Sequence, residues 1–335
     1  MTAEHVDVAV VGAGPAGLFA GFYAGLRGMR TAFVDSLDEP GGQVSALYPE
    51  KLIRDVAGFP AIKGRELIAQ LLAQLEPYDP VWRLGSPATV LADNDAGFRL
   101  ATADGSEILA RAVVVTGGVG TFTPRTLGIG DEYVGRGVTY FVKDPAALAG
   151  RHLVIVGGGD SAFDWADTLA EVAASVRLVH RRDRFRAHPD TVGRVLADDR
   201  VDVHTNSRLV KLAGQPLEAV TIVTADGSAR TVPCDHVVAA LGFVANLGPI
   251  EGWGLTLEDR RIRVDASMRT SRPGVFAAGD ICTYPGRVPL IAVGFGEAAT
   301  AVNHAAAYMD PHAAVFPGHS TDEAGLDQVH SLEPA

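Results

Sequence analysis

The segment Gly12-Ala13-Gly14-Pro15-Ala16-Gly17 has the spacing GxGxxG. It stands between a β-rich run, VDVAVV at 6–11, and a small-residue run, LFAGFYAGLRG. Glycines at these points permit a tight turn and a close approach of backbone to phosphate. They also let a helix press on the strand, while its N-terminus offers N–H groups to an anion. The next strand-like run, Met29 to Val34, ends at Asp35, an acid suited to accept hydrogen bonds from an adenosine ribose. A glycine turn alone arises for structural reasons too. Strand, glycines, helix, second strand and acid in this order describe a dinucleotide site.

The device recurs. RHLVIV at 151–156 leads into Gly157-Gly158-Gly159-Asp160-Ser161-Ala162 and a helical run, FDWADTLAEVA. Gly157, Gly159, Asp160 and Ser161 are the phosphate candidates. The following strand, SVRLVH, ends not in an acid but in His180-Arg181-Arg182-Asp183-Arg184-Phe185-Arg186. A carboxylate there would suit a free ribose diol and repel an added phosphate. Guanidiniums favour the 2'-phosphate of NADP through charge-assisted hydrogen bonds. Arg181, Arg182 and Arg186 are the candidates, and Arg184 suits solvent. The same basic run would also serve as a helix cap or a solvated surface. Two such sites in one chain suggest electron transfer between a tightly held flavin and a diffusible nicotinamide.

The elements that must hold these sites repeat as well. Strand-like runs at 88–100 and 107–115 flank Asp104-Gly105, a hairpin signal, and AVVVTGG at 112–118 reads as a returning strand. A similar hairpin around Asp226-Gly227 precedes HVVAALG. The second unit is thus inserted in the first, which resumes with IRVD at 262–265 and GVFAAGD at 274–280. Asp280 would place a carboxylate near a pyrophosphate or ribityl chain. A helix from about Ala292 to Ala307 would point its N–H groups at a flavin carbonyl, or serve only for packing. The crossovers near 118–124 and 242–249, rich in glycine and small residues, would act as hinges or as rigid turns.

The chain has 335 residues and 35.1 kDa, enough for two ordinary cores. Its formal charge of -11 disfavours a general nucleic-acid function. No apolar stretch is long enough to span a membrane, and Met1 to His5 runs straight into a strand pattern, so a soluble, cytoplasmic protein is expected. Two cysteines, Cys234 and Cys282, lie far apart and form no CxxC.

Together these motifs carry a resemblance. VVGAGPAGLFAGFYAGLRG, PGGQVSALYPEKLIRDVAGFP, GVTYFVKD, LVIVGGGDSAFDWA, VHRRDRFRAH, VFAAGDI and PGHST resemble the thioredoxin-reductase-like class of ferredoxin/flavodoxin–NADP(+) reductases over nearly the whole chain. The resemblance implies an α/β fold of two Rossmann-like three-layer dinucleotide-binding domains. An NADP domain at 119–246 would be inserted in an FAD domain at 1–118 and 247–335, with a tail at 311–335 covering the flavin. Gly12, Gly14 and Gly17, with Pro15 and Ala16 between them, would hold the FAD pyrophosphate. Asp35 would meet the adenosine ribose, where relatives often carry Glu. Gln43 would lie beside the flavin, Tyr48 would stack on one face, Asp280 would bind the ribityl–pyrophosphate region, and Ile291 would meet the pyrimidine edge. His319 would cover the other face, with Ser320 and Thr321 close by. By residue type alone Tyr48 is equally a loop anchor, and His319 sits in an uninformative tail. Pro189, where relatives generally carry Glu, would alter the start of the next helix.

Thioredoxin reductases share this plan but need a CxxC before the second glycine strand, where this chain reads GVTYFVKD at 137–144. The expected reaction is therefore reversible: hydride transfer between NADPH and FAD, then one-electron transfer to ferredoxin or flavodoxin. Reduction of a quinone or another non-dithiol acceptor is the alternative. Lys51, Arg54, Lys63 and Arg65 are docking candidates for an acidic partner, or ordinary solvated charges. The resemblance also implies a homodimer.

Overall fold

The computed structural model of the chain describes residues 3–319 and 321. Ser320 and the tail from 322 onward lie outside the described residues. Two compact units emerge, one made of residues up to Thr121 and from Ala245 onward, the other Phe122–Val244. The expected boundaries stood at 118/119 and 246/247.

The first unit is built on a mostly parallel sheet. Glu4–Val11 lies between Thr31–Val34 and Glu107–Val115, parallel to both. Val81–Arg83 extends the sheet beyond Thr31–Val34, and Val275–Ala277 pairs parallel with Glu107–Val115. Valine and alanine strands buried on both faces explain why the central runs show no polar alternation. The run at 88–100 is two strands, Ala88–Asn94 and Gly97–Thr102, and the latter pairs antiparallel with Glu107–Val115 across the Asp104 turn. The helix Pro15–Leu26 starts on proline, which fits its first position. It lies close to its neighbours because it presents glycine. A Cβ on Gly21 would stand 2.3 Å from the Phe33 ring, and one on Gly25 2.3 Å from that of Tyr78.

The second unit carries its own parallel sheet. Its order is Val138–Thr139, His236–Ala239, His152–Val156, Ser175–Val179 and Val201–His204. The hairpin around Asp226-Gly227 does not join that sheet. Ser207–Ala213, Ala219–Thr224 and Ala229–Pro233 form a separate antiparallel sheet. Pro189 opens the helix Pro189–Ala197 at its first turn, where a missing N–H costs nothing, so the helix starts normally.

The two crossovers are paired. Thr121–Pro124 and Phe243–Asn246 form a two-stranded ribbon. Gly120, at φ +75°, fits there because a Cβ would stand 2.1 Å from the Asn246 carbonyl oxygen. No helix among the described residues is long and apolar enough to cross a membrane.

Candidate functional site

The first glycine turn is held from below. Thr116 donates its hydroxyl to the Gly12 carbonyl at 2.7 Å. A Cβ on Gly12, whose φ is +109°, would stand 2.6 Å from the Thr116 carbonyl oxygen, and one on Gly17 2.0 Å from the Gly12 carbonyl oxygen. Asp35, at the end of its strand, accepts from the backbone N–H of Ala13 at 2.6 Å and of Leu37 at 2.9 Å. Burial raises its pKa against the lowering by these hydrogen bonds. The acid thus also fixes the turn, and its oxygens retain lone pairs for a ribose.

Four further segments converge on this turn. Gly41 donates to the Ala13 carbonyl at 2.8 Å, and a Cβ on Gly42 would stand 3.0 Å from Gly14 Cα. This places Gln43, in the helix Gly42–Leu47, beside the turn. The Gln43 amide in turn lies against Gly118, whose Cβ would stand 3.1 Å from it. From the other side come Gly279, with φ +78°, and Gly294 of the helix Ile291–Met309. A Cβ on either would meet Ala16 Cβ, at 3.1 Å and 3.5 Å respectively. Ile291 begins that helix, where the first N–H groups lack intrahelical acceptors.

Asp280 follows Gly279 with 46% of its side chain exposed, while Arg287, which donates to it at 3.3 Å, is 5% exposed. Arg287 also pairs with Glu297 at 2.9 Å. Sequence reading missed Glu297 and Arg287. The signal available was a lone carboxylate in the otherwise small and apolar run IAVGFGEAATA. Tyr48 closes the helix Gly42–Leu47 and packs on the core of this unit. Burial, with the charges of Asp280 and Asp55, pushes its phenol up to about 12, so Tyr48 and Asp280 share one neighbourhood. Lys51 lies over the Tyr48 ring, 5.8 Å from its centroid.

Two of the four docking candidates share one acid. Glu50 pairs with Lys63 at 3.2 Å and with Arg65 at 2.7 Å, one carboxylate shared by two cations. In the tail, Arg27 at the end of the first helix donates to the carbonyls of Ala314 and Val315, at 2.9 Å and 3.0 Å. The His319 ring meets Phe316 edge-on at 5.0 Å, and Thr321 is exposed.

In the second unit the glycines are equally constrained. A Cβ on Gly157 would stand 2.4 Å from the Ala240 carbonyl oxygen, and one on Gly158 2.2 Å from the His180 ring, whereas Gly159 faces open space. The arginine segment folds back on this turn. Arg186 donates its backbone N–H to the Gly158 carbonyl at 2.7 Å, and His188 donates its own to Asp160 Oδ1 at 2.7 Å. Arg181, Arg182 and Arg186 are all exposed, as are Asp160 and Ser161. Arg184 is also exposed, and its carbonyl pairs with His180 Nε2 at 3.1 Å. Both thiols are buried, Cys234 in this unit and Cys282 in the other. Burial pushes each up to about 12.

Two parallel-sheet units, each with a glycine turn opening a helix, one closed by an acid and one by arginines, define a two-nucleotide oxidoreductase. Residues 6–305 match the family model of pyridine nucleotide-disulphide oxidoreductases. The ferredoxin–NADP reductase of Salinispora arenicola is 57% identical over 95% of this chain and 99% of its own. That of Thermus thermophilus is 47% identical over 97% and 99%. Among solved structures, the thioredoxin reductase of T. acidophilum superposes with a TM-score of 0.79 at 26% identity, covering 92% of this chain and 99% of its own. The chain belongs to the pyridine nucleotide-disulphide oxidoreductase family, in its thioredoxin-reductase-like class of ferredoxin–NADP reductases.

Proposed function

We infer that the chain is an FAD-dependent ferredoxin–NADP(+) reductase, with ferredoxin or flavodoxin as its redox partner. The observation that carries the reading is the arginine segment tied to the second glycine turn through Gly158 and Asp160, in a chain whose two thiols are buried in different units. The first feature suits NADPH over NADH. The second leaves no dithiol between reduced flavin and acceptor.

Bound FAD supplies the exchange between a two-electron donor and a one-electron carrier. The chain's own residues bind and orient. Gly12, Gly14 and Gly17, with Pro15 and Ala16, form the turn for the FAD pyrophosphate, which a Cβ on Gly12 or Gly17 would break by meeting backbone, and Asp35 serves the adenosine ribose. Asp280 holds the ribityl region, and Ile291 offers a backbone N–H to the ring's pyrimidine edge. Tyr48 covers one face, with Gln43 beside it, and His319 and Thr321 belong to the segment that covers the other. Gly157, Gly159, Asp160 and Ser161 hold the NADP pyrophosphate side, and Arg181, Arg182 and Arg186 the 2'-phosphate. Tyr48 stays a neutral phenol at working pH, so it excludes water without adding charge.

A cytoplasmic location and a homodimer complete the reading. Support for a tail that crosses to a second copy comes from Arg27. It pins the tail at the far end of a 12-residue helix, about 18 Å from the glycine turn. Light scattering on the purified protein tests the dimer. For docking an acidic partner, the candidates are Lys51, Arg54, Lys63 and Arg65, the last two sharing Glu50.

The deciding experiment is anaerobic titration of the yellow protein with NADPH, followed by ferredoxin, flavodoxin or a quinone. Bleaching by NADPH and reoxidation by ferredoxin or flavodoxin support the reading. Reoxidation by the quinone alone replaces it with a quinone reductase.

A further inference from the structure

Glu297 is a carboxylate inside a glycine- and alanine-rich helix, 3% exposed, and no step of the nucleotide-binding reading uses it. We propose that Glu297, acting with Arg287, is the positioning residue that presents the Gly279–Asp280 turn to the flavin dinucleotide. The proposal rests on the reading of Asp280 as a cofactor-binding residue.

Every hydrogen bond described for the Glu297 carboxylate comes from the turn or from the segment just after it. Oε2 accepts the Gly279 N–H at 2.7 Å, and the Cys282 thiol lies 3.7 Å from the same oxygen. Oε1 accepts the Tyr284 hydroxyl at 2.9 Å and Arg287 Nε at 2.9 Å. Arg287 Nη2 then bridges Glu297 Oε2 and Asp280 Oδ1, both at 3.3 Å. One buried side chain therefore sets the peptide before Asp280, and its guanidinium partner sets the carboxylate of Asp280 itself.

Gly279 sits at φ +78°, where a Cβ would stand 3.1 Å from Ala16 Cβ of the first glycine turn. Its N–H points inward to Glu297 instead of outward to a ligand, which aims the following residue at the cradle. The charges agree with this role. A pyrophosphate near two uncompensated carboxylates would be repelled, and Arg287 offsets one of them from beneath. A buried ion pair is a poor source of net stability, so its location directly under the turn points to geometry as its use.

The test measures equilibrium FAD release from the holoprotein, by flavin fluorescence on dilution, for Asp280→Ala, Glu297→Gln and the double variant. The expected result is FAD affinity about tenfold weaker in each single variant, the size of one lost hydrogen bond to a charged group. The double variant should be scarcely weaker than the worse single, because both act through one turn. The visible circular dichroism of the flavin should change in Glu297→Gln as it does in Asp280→Ala.

Should Glu297→Gln fail to fold, the charge-free pair Glu297→Leu with Arg287→Met leaves no stranded buried charge and supplies the same comparison. Unchanged FAD affinity in the folded Glu297 variants, or additive losses in the double, overturns the proposal. Unchanged affinity in Asp280→Ala alone overturns the reading of Asp280 on which it rests. Affinity for 2',5'-ADP, which reports on the second unit, should stay constant throughout.

Discussion

The Asp160 carboxylate accepts the backbone N–H of His188 at 2.7 Å, across the whole arginine segment. It ties the first turn of the helix Asp160–Leu169 to the N-cap of the helix Pro189–Ala197. With the Arg186 N–H on the Gly158 carbonyl, this holds the backbone that carries the arginines in one place before any ligand arrives. Preorganisation of this kind lowers the cost of ordering on binding.

Asp160→Ala should therefore weaken 2',5'-ADP binding about fivefold, the value of roughly 1 kcal/mol for one hydrogen bond. Asp160→Asn keeps an acceptor and should stay near the parent. Calorimetry with 2',5'-ADP reads both. Arg181→Ala with Arg182→Ala should raise the KM for NADPH by about a hundredfold, from two charge-assisted contacts. The KM for NADH should hardly move. Equal loss for both coenzymes would exclude a 2'-phosphate role.

Gly17→Ala would force a Cβ to within 2.0 Å of backbone oxygen, and backbone cannot give way as a side-chain tip can. The purified variant should carry little or no FAD, read from its absorbance ratio. Gly296→Ala, in the helix Ile291–Met309, meets nothing within 4 Å. It should stabilise the holoprotein by about 0.5–1 kcal/mol, seen as a higher Tm. A falling Tm in Gly296→Ala would contradict the open space.

His236 is 8% exposed, and its Nε2 pairs with the Thr139 hydroxyl at 3.1 Å. Burial first, and the charge of Arg151 second, lower its pKa from 6.5 to about 4. Between these values the unfolded chain binds a proton that the folded chain refuses. The stabilisation is thus complete above the unfolded value and drains away as pH falls towards the folded one. The loss amounts to about 3 kcal/mol. Urea midpoints followed by circular dichroism at pH 7 and pH 5 should show about 2 kcal/mol of it, and His236→Gln should flatten the dependence.

With both thiols pushed up to about 12 by burial, a thiol reagent at pH 8 should find almost no thiolate. Ellman's reagent should release no chromophore from the native protein and two equivalents after denaturation. One rapid equivalent from native protein would mean that a thiol is open to redox chemistry.

How much of this could be read in advance follows from how local each feature is. The two glycine turns and the arginine segment lie in contiguous stretches, so residue type and spacing exposed them directly. The Glu297–Arg287 pair was not legible. It depends on a helix lying beneath a turn, and sequence alone shows only an acid out of place among alanines. The pairing of Lys63 and Arg65 with Glu50 was hidden for a similar reason, because the Leu52–Lys63 pairing of a short hairpin brings Glu50 to both. The strand break at residues 95–96 was missed because a continuous β-rich composition conceals a tight reversal. The hairpin around Asp226-Gly227 was correctly located, but its separation from the parallel sheet depends on pairing partners far away in the chain.

The ribbon of paired crossovers has a consequence for gene architecture. The inserted unit leaves and rejoins the chain at neighbouring points. Gly120 abuts Asn246 on one side of the divide, and the Arg125 N–H meets the Gly242 carbonyl at 2.9 Å on the other. Its coding segment can therefore be exchanged as one cassette, and the host strands rejoined by a short splice. The second unit could be transplanted between relatives, or a new terminus opened elsewhere, without recutting the first.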